Sequence, residues 1–284
     1  MNNGHTIKTP LGKLGKSGQL LRLLTKNRKE FVDRISAVWD VRSQWLYGKP
    51  PSYSPILSVA EGIETIDCAL KTHGMQLLRE PSFERFEIRM SRAQQLLSRN
   101  APMGRFHNAD DGLARVVYAL ARAIRPEHIV ETGVCYGVTT GYLLQALHEN
   151  GAGHLHSIDL PPLGENADLF VGCLIPEELK RRWTLHRGSS RRLLPGILQK
   201  QGRIQMFVHD SLHTRANMRR EFCTVWPFMS PGSILVSDDI EGNSAFAELA
   251  SMSGIERLLV LASDKKKALI GVAFKSETSV NGSC

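Results

Sequence analysis

The run Ile129-Val-Glu-Thr-Gly-Val-Cys-Tyr-Gly-Val-Thr-Thr140 places a carboxylate, Glu131, ahead of two glycines, Gly133 and Gly137, in the spacing ExGxxxG. Glycines at those positions let the backbone turn sharply and come close to a ligand. The spacing is not the GxGxxG pattern that seats a pyrophosphate on a helix N-terminus. A carboxylate at this turn repels phosphate and suits a cationic ligand. The next apolar run closes on Asp159, at the place where an acid can accept both hydroxyls of a ribose. Capping of the following turn is the bland reading of Asp159, and the glycine turn beside it favours the ribose.

These residues gain meaning from the elements that carry them. Short apolar runs at 128–131, 155–160, 184–187, 204–210 and 233–240 alternate with helical patterns at 139–149, 176–182, 191–201, 214–228 and 243–253. Such alternation predicts a doubly wound, mostly parallel sheet with helices on both faces, whose ligands bind beyond the carboxyl ends of the strands. The last two runs, 257–262 and 268–274, are joined by Ser263-Asp-Lys-Lys-Lys267 alone. A link that short cannot hold a right-handed crossover, so the pair is predicted to be an antiparallel hairpin. Leu113, Val116, Val117, Leu120, Ala121 and Ile124 form one helical stripe, with Asp110 or Asp111 placed to cap it. Upstream, Phe31, Ile35, Val38, Trp39 and Leu46, then Phe83, Phe86, Met90, Ala93 and Leu97, recur at helical spacing. The expected organisation is a basic arm and helical accessory segment over 1–105, an α/β domain over 106–276 and a loose tail over 277–284.

A cationic ligand bearing a ribose is S-adenosylmethionine. From about Asn108 to Phe274 the chain resembles class I S-adenosylmethionine-dependent methyltransferases, particularly small-molecule and sugar O-methyltransferases. The resemblance implies a seven-stranded sheet ending in the hairpin; the N-terminal helical extension, read from apolar spacing, lies outside it. Glu131, Gly133 and Gly137 match the motif that wraps the methionine part of the cofactor, and Asp159 matches the ribose acid. Beside the adenine, where the family often shows Gly-Asp-Ser, the chain reads Gly188-Ser189-Ser190, so Ser189 takes the contact position. Asp210-Ser-Leu-His213 resembles the family's aspartate-x-x-histidine signature, and the fifth run ends on Asp238-Asp239. Three carboxylates and a histidine at neighbouring strand ends would make a hard-oxygen site suited to Mg2+, with Asp210, Asp238 and Asp239 as ligands and His213 as base. The rival reading has Asp238 and Asp239 capping the next helix and Asp210 ordering the glycine turn. His209, one residue before Asp210, points to the opposite side by strand alternation.

Composition bounds the rest. The chain has 284 residues, 42% of them hydrophobic and 23% charged, which excludes disorder as its main state. The formal charge of +8 favours anionic partners and leaves nucleic acid and membrane surfaces open beside a small-molecule hydroxyl acceptor. The basic arm carries Lys8, Lys13, Lys16, Arg22, Lys26, Arg28 and Lys29, interleaved with leucines. The segment's open roles are a lid, an oligomer contact or a membrane-surface attachment. Cys68, Cys135, Cys173, Cys223 and Cys284 are scattered and odd in number, so reduced thiols in a cytoplasmic protein are expected. The functional expectation is a methyltransferase acting on a small-molecule hydroxyl, such as that of a sugar or secondary metabolite. The alternatives are a nucleic-acid methyltransferase and a non-catalytic binding protein on the same fold.

Overall fold

The structure, a computed structural model, describes residues 15–97, 111–164, 166–263 and 268–277. Its centre is a sheet of β1 (Leu57–Ser58), β2 (His128–Thr132), β3 (His154–Asp159), β4 (Trp183–Arg187), β5 (Ile204–His209), β6 (Met229–Ser237), β7 (Ile255–Ala262) and β8 (Leu269–Lys275). The strands lie in the order β1-β7-β8-β6-β5-β2-β3-β4. Strands β2 to β6 pair in parallel, and β8 runs antiparallel to both β6 and β7. The doubly wound sheet with its closing hairpin is the predicted one. The difference is an eighth strand, β1, in which Leu57 and Ser58 pair in parallel with Leu261 and Ala262. Two residues are too few to show an alternation of polarity, so periodicity does not reveal them.

Eleven α-helices are described: α1 (Lys16–Lys26), α2 (Arg28–Arg42), α3 (Val59–Leu70), α4 (Gly74–Leu77), α5 (Pro81–Leu96), α6 (Asp111–Ile124), α7 (Val138–Asn150), α8 (Ala167–Phe170), α9 (Ser190–Gln201), α10 (Arg215–Val225) and α11 (Ala245–Glu248). The pattern expected to make a helix over 243–253 gives only α11 and a 3-10 turn, Leu249–Ser251. That expected over 176–182 is a 3-10 helix, Glu177–Arg182. Asp110, Lys8, Lys13, residues 264–267 and the tail from 278 lie outside the described residues. Cys68, Cys135 and Cys173 are free, whereas Cys223 is disulfide-bonded, which corrects the expectation of reduced thiols throughout.

Two apolar layers hold the sheet. On one face Ile129, Met206, Val208 and Val236 pack with α6 and α7. On the other, Val130, Phe207 and Leu235 pack with Leu194 and Leu198 of α9 and Met218 and Phe222 of α10. The upstream segment joins the first layer. Ile63 and Ile66 of α3 and Phe83, Phe86 and Met90 of α5 are buried with it. The Phe83 ring lies 4.5 Å from that of Tyr118, and Phe86 stands 5.1 Å from Tyr142, edge to face.

Helix α2 docks the other way round from an ordinary amphipathic helix. Its buried residues are acids, Glu30, Asp33 and Asp40, while Val32, Ile35, Val38 and Trp39 are exposed. The cause is the row of arginines beneath it. Glu30 Oε2 accepts from Arg187 at 2.7 Å, Asp33 from Arg192 at 2.9 Å and Asp40 from Arg220 at 2.9 Å. Burial alone raises the Glu30 carboxyl, but hydrogen bonds from Arg187 and Arg34 outweigh it and hold the group below its ordinary value. A lowered carboxylate pKa contributes stability above the unfolded value and loses it as pH falls through the folded one. Glu30→Ala is therefore expected to release α2 at neutral pH, much as acid does in the native chain. Limited proteolysis reads this as faster cleavage within 27–50, with the sheet domain left intact. Equal cleavage rates would show that the ion pairs do not hold the helix.

Candidate active site at the strand ends

Beyond the carboxyl ends of the parallel strands the backbone continues one further rung. Gly133 N–H donates to Ile158 at 2.9 Å, Asp210 N–H to Thr132 at 2.8 Å, Asp238 N–H to His209 at 2.9 Å and Gly188 N–H to Asp159 at 2.8 Å. These bonds fix Gly133, Asp210, Asp238 and Gly188 at neighbouring strand ends, with Asp159 closing β3. Between β2 and α7 the chain passes through left-handed conformations at Gly133 (φ +87°), Cys135 (φ +50°) and Gly137 (φ +92°). The glycines are needed for close approach, and what approaches is protein. A Cβ on Gly133 would lie 1.9 Å from the Asp210 carbonyl oxygen, and one on Gly137 would lie 2.8 Å from Gly172 Cα. Burial pushes the Cys135 thiol up to about 12, so it stays protonated and is no nucleophile.

The two acids read from sequence as cofactor contacts brace this turn from below. Glu131 is fully buried, and its Oε2 accepts from Ser157 Oγ at 2.6 Å and Thr140 Oγ1 at 2.9 Å. Its Oε1 is buried without a partner among the described residues. Burial pushes this carboxyl up to about 8. Asp159 Oδ2 accepts from the backbone N–H groups of Val134 at 2.7 Å and Cys135 at 2.9 Å. Asp159 thus caps the glycine turn after β2 rather than the turn that follows it in the chain, and only one of its oxygens makes those bonds. Ser189 stands at the N-cap of α9, and its buried hydroxyl has no partner among the described residues.

The second group of residues also converges. One ligand atom each from Asp210, His213 and Asp238 lie within 4.8 Å of one another. Thr139 Oγ1 donates to Asp210 Oδ2 at 3.2 Å, tying this cluster to the glycine turn. His213 Nε2 lies 3.8 Å from Asp210 Oδ1 and 3.7 Å from Asp239 Oδ2. Asp239 itself is left-handed (φ +49°) and makes no side-chain cap to the 3-10 turn after it, so helix capping is not its task. The His209 ring packs edge to face on Phe222 and also stands 5.3 Å from the His213 ring, edge to face, so it adjoins the cluster rather than facing away from it.

One residue of the site was not singled out in the sequence. Glu221, fully buried on α10, accepts through Oε2 from Thr132 Oγ1 at 2.6 Å and pairs there with His209 Nδ1 at 2.7 Å. Its Oε1 accepts from Ser211 Oγ and Asn217 Nδ2, each at 3.0 Å. Burial raises its carboxyl, but the contact with His209 and the hydrogen bond from Thr132 bring it below the ordinary value. Glu221 therefore grips the residues on both sides of Asp210. Its signal in the sequence is an acid on the apolar stripe of Met218, Phe222 and Val225.

Residues 130–240 match a family described as a methyltransferase domain. No curated protein matches the chain. Among solved structures, the O-methyltransferase TomG of Streptomyces achromogenes, involved in tomaymycin synthesis and solved with SAM, is similar at 17% identity and a TM-score of 0.55, over 66% of this chain and 89% of that one. An O-methyltransferase of Bacillus cereus solved with SAH is similar at 15% identity and 0.53, over 66% and 90%. The SAH-bound methyltransferase PaMTH1 of Podospora anserina is similar at 10% identity and 0.51, over 81% and 100%. At these identities the likeness is one of fold. The stretch from the glycine turn to the acidic strand ends thus resembles a methyltransferase domain, and the chain shares its fold with solved methyltransferases.

Proposed function

We propose that the protein transfers a methyl group from S-adenosylmethionine to a hydroxyl of a small molecule, of the sugar or secondary-metabolite kind. The observation that carries this reading is the convergence of Asp210, His213 and Asp238 beside the glycine turn. The residues at the strand ends fit the donor. Glu131 Oε1 and Ser189 Oγ are buried polar atoms in want of partners, and the second oxygen of Asp159 is left to accept from a ribose. The donor supplies a methyl group already activated on a sulfonium. Asp210 and Asp238, with Asp239 beside His213, would offer hard oxygen ligands to Mg2+, and the ion would supply an anchor for the acceptor's oxygens. His213 takes the hydroxyl proton at Nε2, and the charge so created lies between the carboxylates of Asp210 and Asp239. Holding the acceptor oxygen in line with the methyl group, at roughly 3 to 3.5 Å, supplies much of the remaining acceleration.

Calorimetric titration with S-adenosylmethionine and S-adenosylhomocysteine, repeated with Mg2+ and after chelation, tests the reading. Micromolar binding supports it, and a metal-dependent change assigns the three aspartates. Absence of binding by either compound overturns it in favour of a non-catalytic role. The same titration tests Glu131. With its carboxyl at about 8, this residue is largely protonated at neutral pH in the free protein. A cationic ligand beside it favours the ionised form, so donor affinity should rise with pH up to that value and binding should release a proton. Titrations in buffers of different ionisation enthalpy are expected to show that release in the native chain and none in Glu131→Gln.

A further inference from the structure

We infer that the outer face of α1 and α2 docks on an anionic lipid surface. The first fifty residues contain only three acids, Glu30, Asp33 and Asp40. All three are turned inward on α2 and held by Arg187, Arg192 and Arg220. Rolling the helix to bury its apolar side would strand three acids and three arginines, so the ion pairs fix which face looks out. That face reads Arg28, Val32, Ile35, Trp39, Arg42, at intervals of four, three, four and three, which is one straight stripe of an α-helix. An arginine closes each end. Trp39 is 71% exposed, and Trp45, just past the helix, is 79% exposed. Helix α1 adds the exposed leucines Leu21 and Leu24, with Arg22 and Lys26 between and beside them.

The outward charges of 15–50 are therefore all cationic, and they frame tryptophan and branched aliphatic side chains. Helices of that composition lie in the membrane interface, where tryptophan is favoured and each Lys or Arg near an anionic surface adds attraction. A second copy of the chain is the poorer occupant, because a shared patch would set cations against cations. Nucleic acid would satisfy the charges but leaves Val32 and Ile35 without a partner.

Flotation of the full chain with vesicles tests the proposal, using phosphatidylcholine alone and phosphatidylcholine mixed with phosphatidylserine. The chain is expected to float with the mixed vesicles only, to lose binding as salt rises, and to show a blue shift of tryptophan emission. Trp39→Ser with Trp45→Ser should abolish the shift. Arg28→Ser with Arg42→Ser should weaken binding roughly fivefold per arginine. All four side chains are exposed, so the variants keep the fold. Equal binding to both vesicles, or binding to neither, overturns the proposal. So does a dimer in light scattering that the tryptophan variants dissolve, or retention on nucleic acid in place of vesicles.

Discussion

Replacing His213 by alanine is expected to lower turnover by about 10²- to 10⁴-fold, the share a positioned general base commonly supplies, while donor affinity stays within a factor of two or so. The residue suits that role by placement. It lies on the loop between β5 and α10, with Nε2 between Asp210 and Asp239 at 3.8 and 3.7 Å. Both carboxylates lie where they would stabilise the imidazolium that forms when Nε2 takes a proton. His213 and two of the proposed metal ligands lie close enough for a single ion to touch all three, which makes metal ligation the competing role. The two roles separate experimentally. Loss of a base lowers kcat and leaves the Mg2+ concentration needed for half-activation in place; loss of a ligand raises that concentration. Release of S-adenosylhomocysteine with any accepted hydroxyl compound gives the rate. Full activity in the variant removes His213 from the chemistry.

Much of this site was legible in the sequence because strand ends in a parallel sheet are marked by where apolar runs stop. Asp159, His209 and Ser237 end β3, β5 and β6; Asp210 and Asp238 fall one residue past their strands, Asp239 two, and Glu131 one before the end of β2. What was not legible depends on what the chain meets in space. Gly133 reads as room for a ligand, yet its missing side chain makes room for the Asp210 backbone. Glu221 lies twelve residues after His209, and no local pattern announces that an acid on an apolar stripe will meet a histidine from a strand. Helix α2 shows the same limit more sharply. Its apolar periodicity is real, but the arginines that draw its acidic face inward come from 187, 192 and 220, far away in the chain. Periodicity says that a helix has two faces; the partner decides which is buried.

The tightest contact in the site gives the largest expected loss of stability. Gly133→Ala would place a Cβ 1.9 Å from the Asp210 carbonyl oxygen and 2.5 Å from its carbon, at a φ of +87°. Both neighbours are backbone, so no side chain can swing aside. Either the turn opens or β5 and its Asp210 end shift. A left-handed non-glycine residue costs about 1–2 kcal/mol, and forcing atoms into a packed site costs about 1–3 more. A sum of about 2–5 kcal/mol corresponds to a fall in melting temperature of roughly 4–20 °C for a chain of this size. The control is Gly151→Ala, at the end of α7, where φ is +70° and a Cβ meets nothing within 4 Å. That variant bears the backbone cost without the clash, so the difference between the two melting curves isolates the contact with Asp210. Function separates them further. Asp210 stands at the centre of the proposed metal and base cluster, so Gly133→Ala should lose donor binding and metal response together, while Gly151→Ala keeps both. Equal melting temperatures would mean that the turn relaxes freely, and the positions of Asp210 and the glycine turn would then be independent of each other.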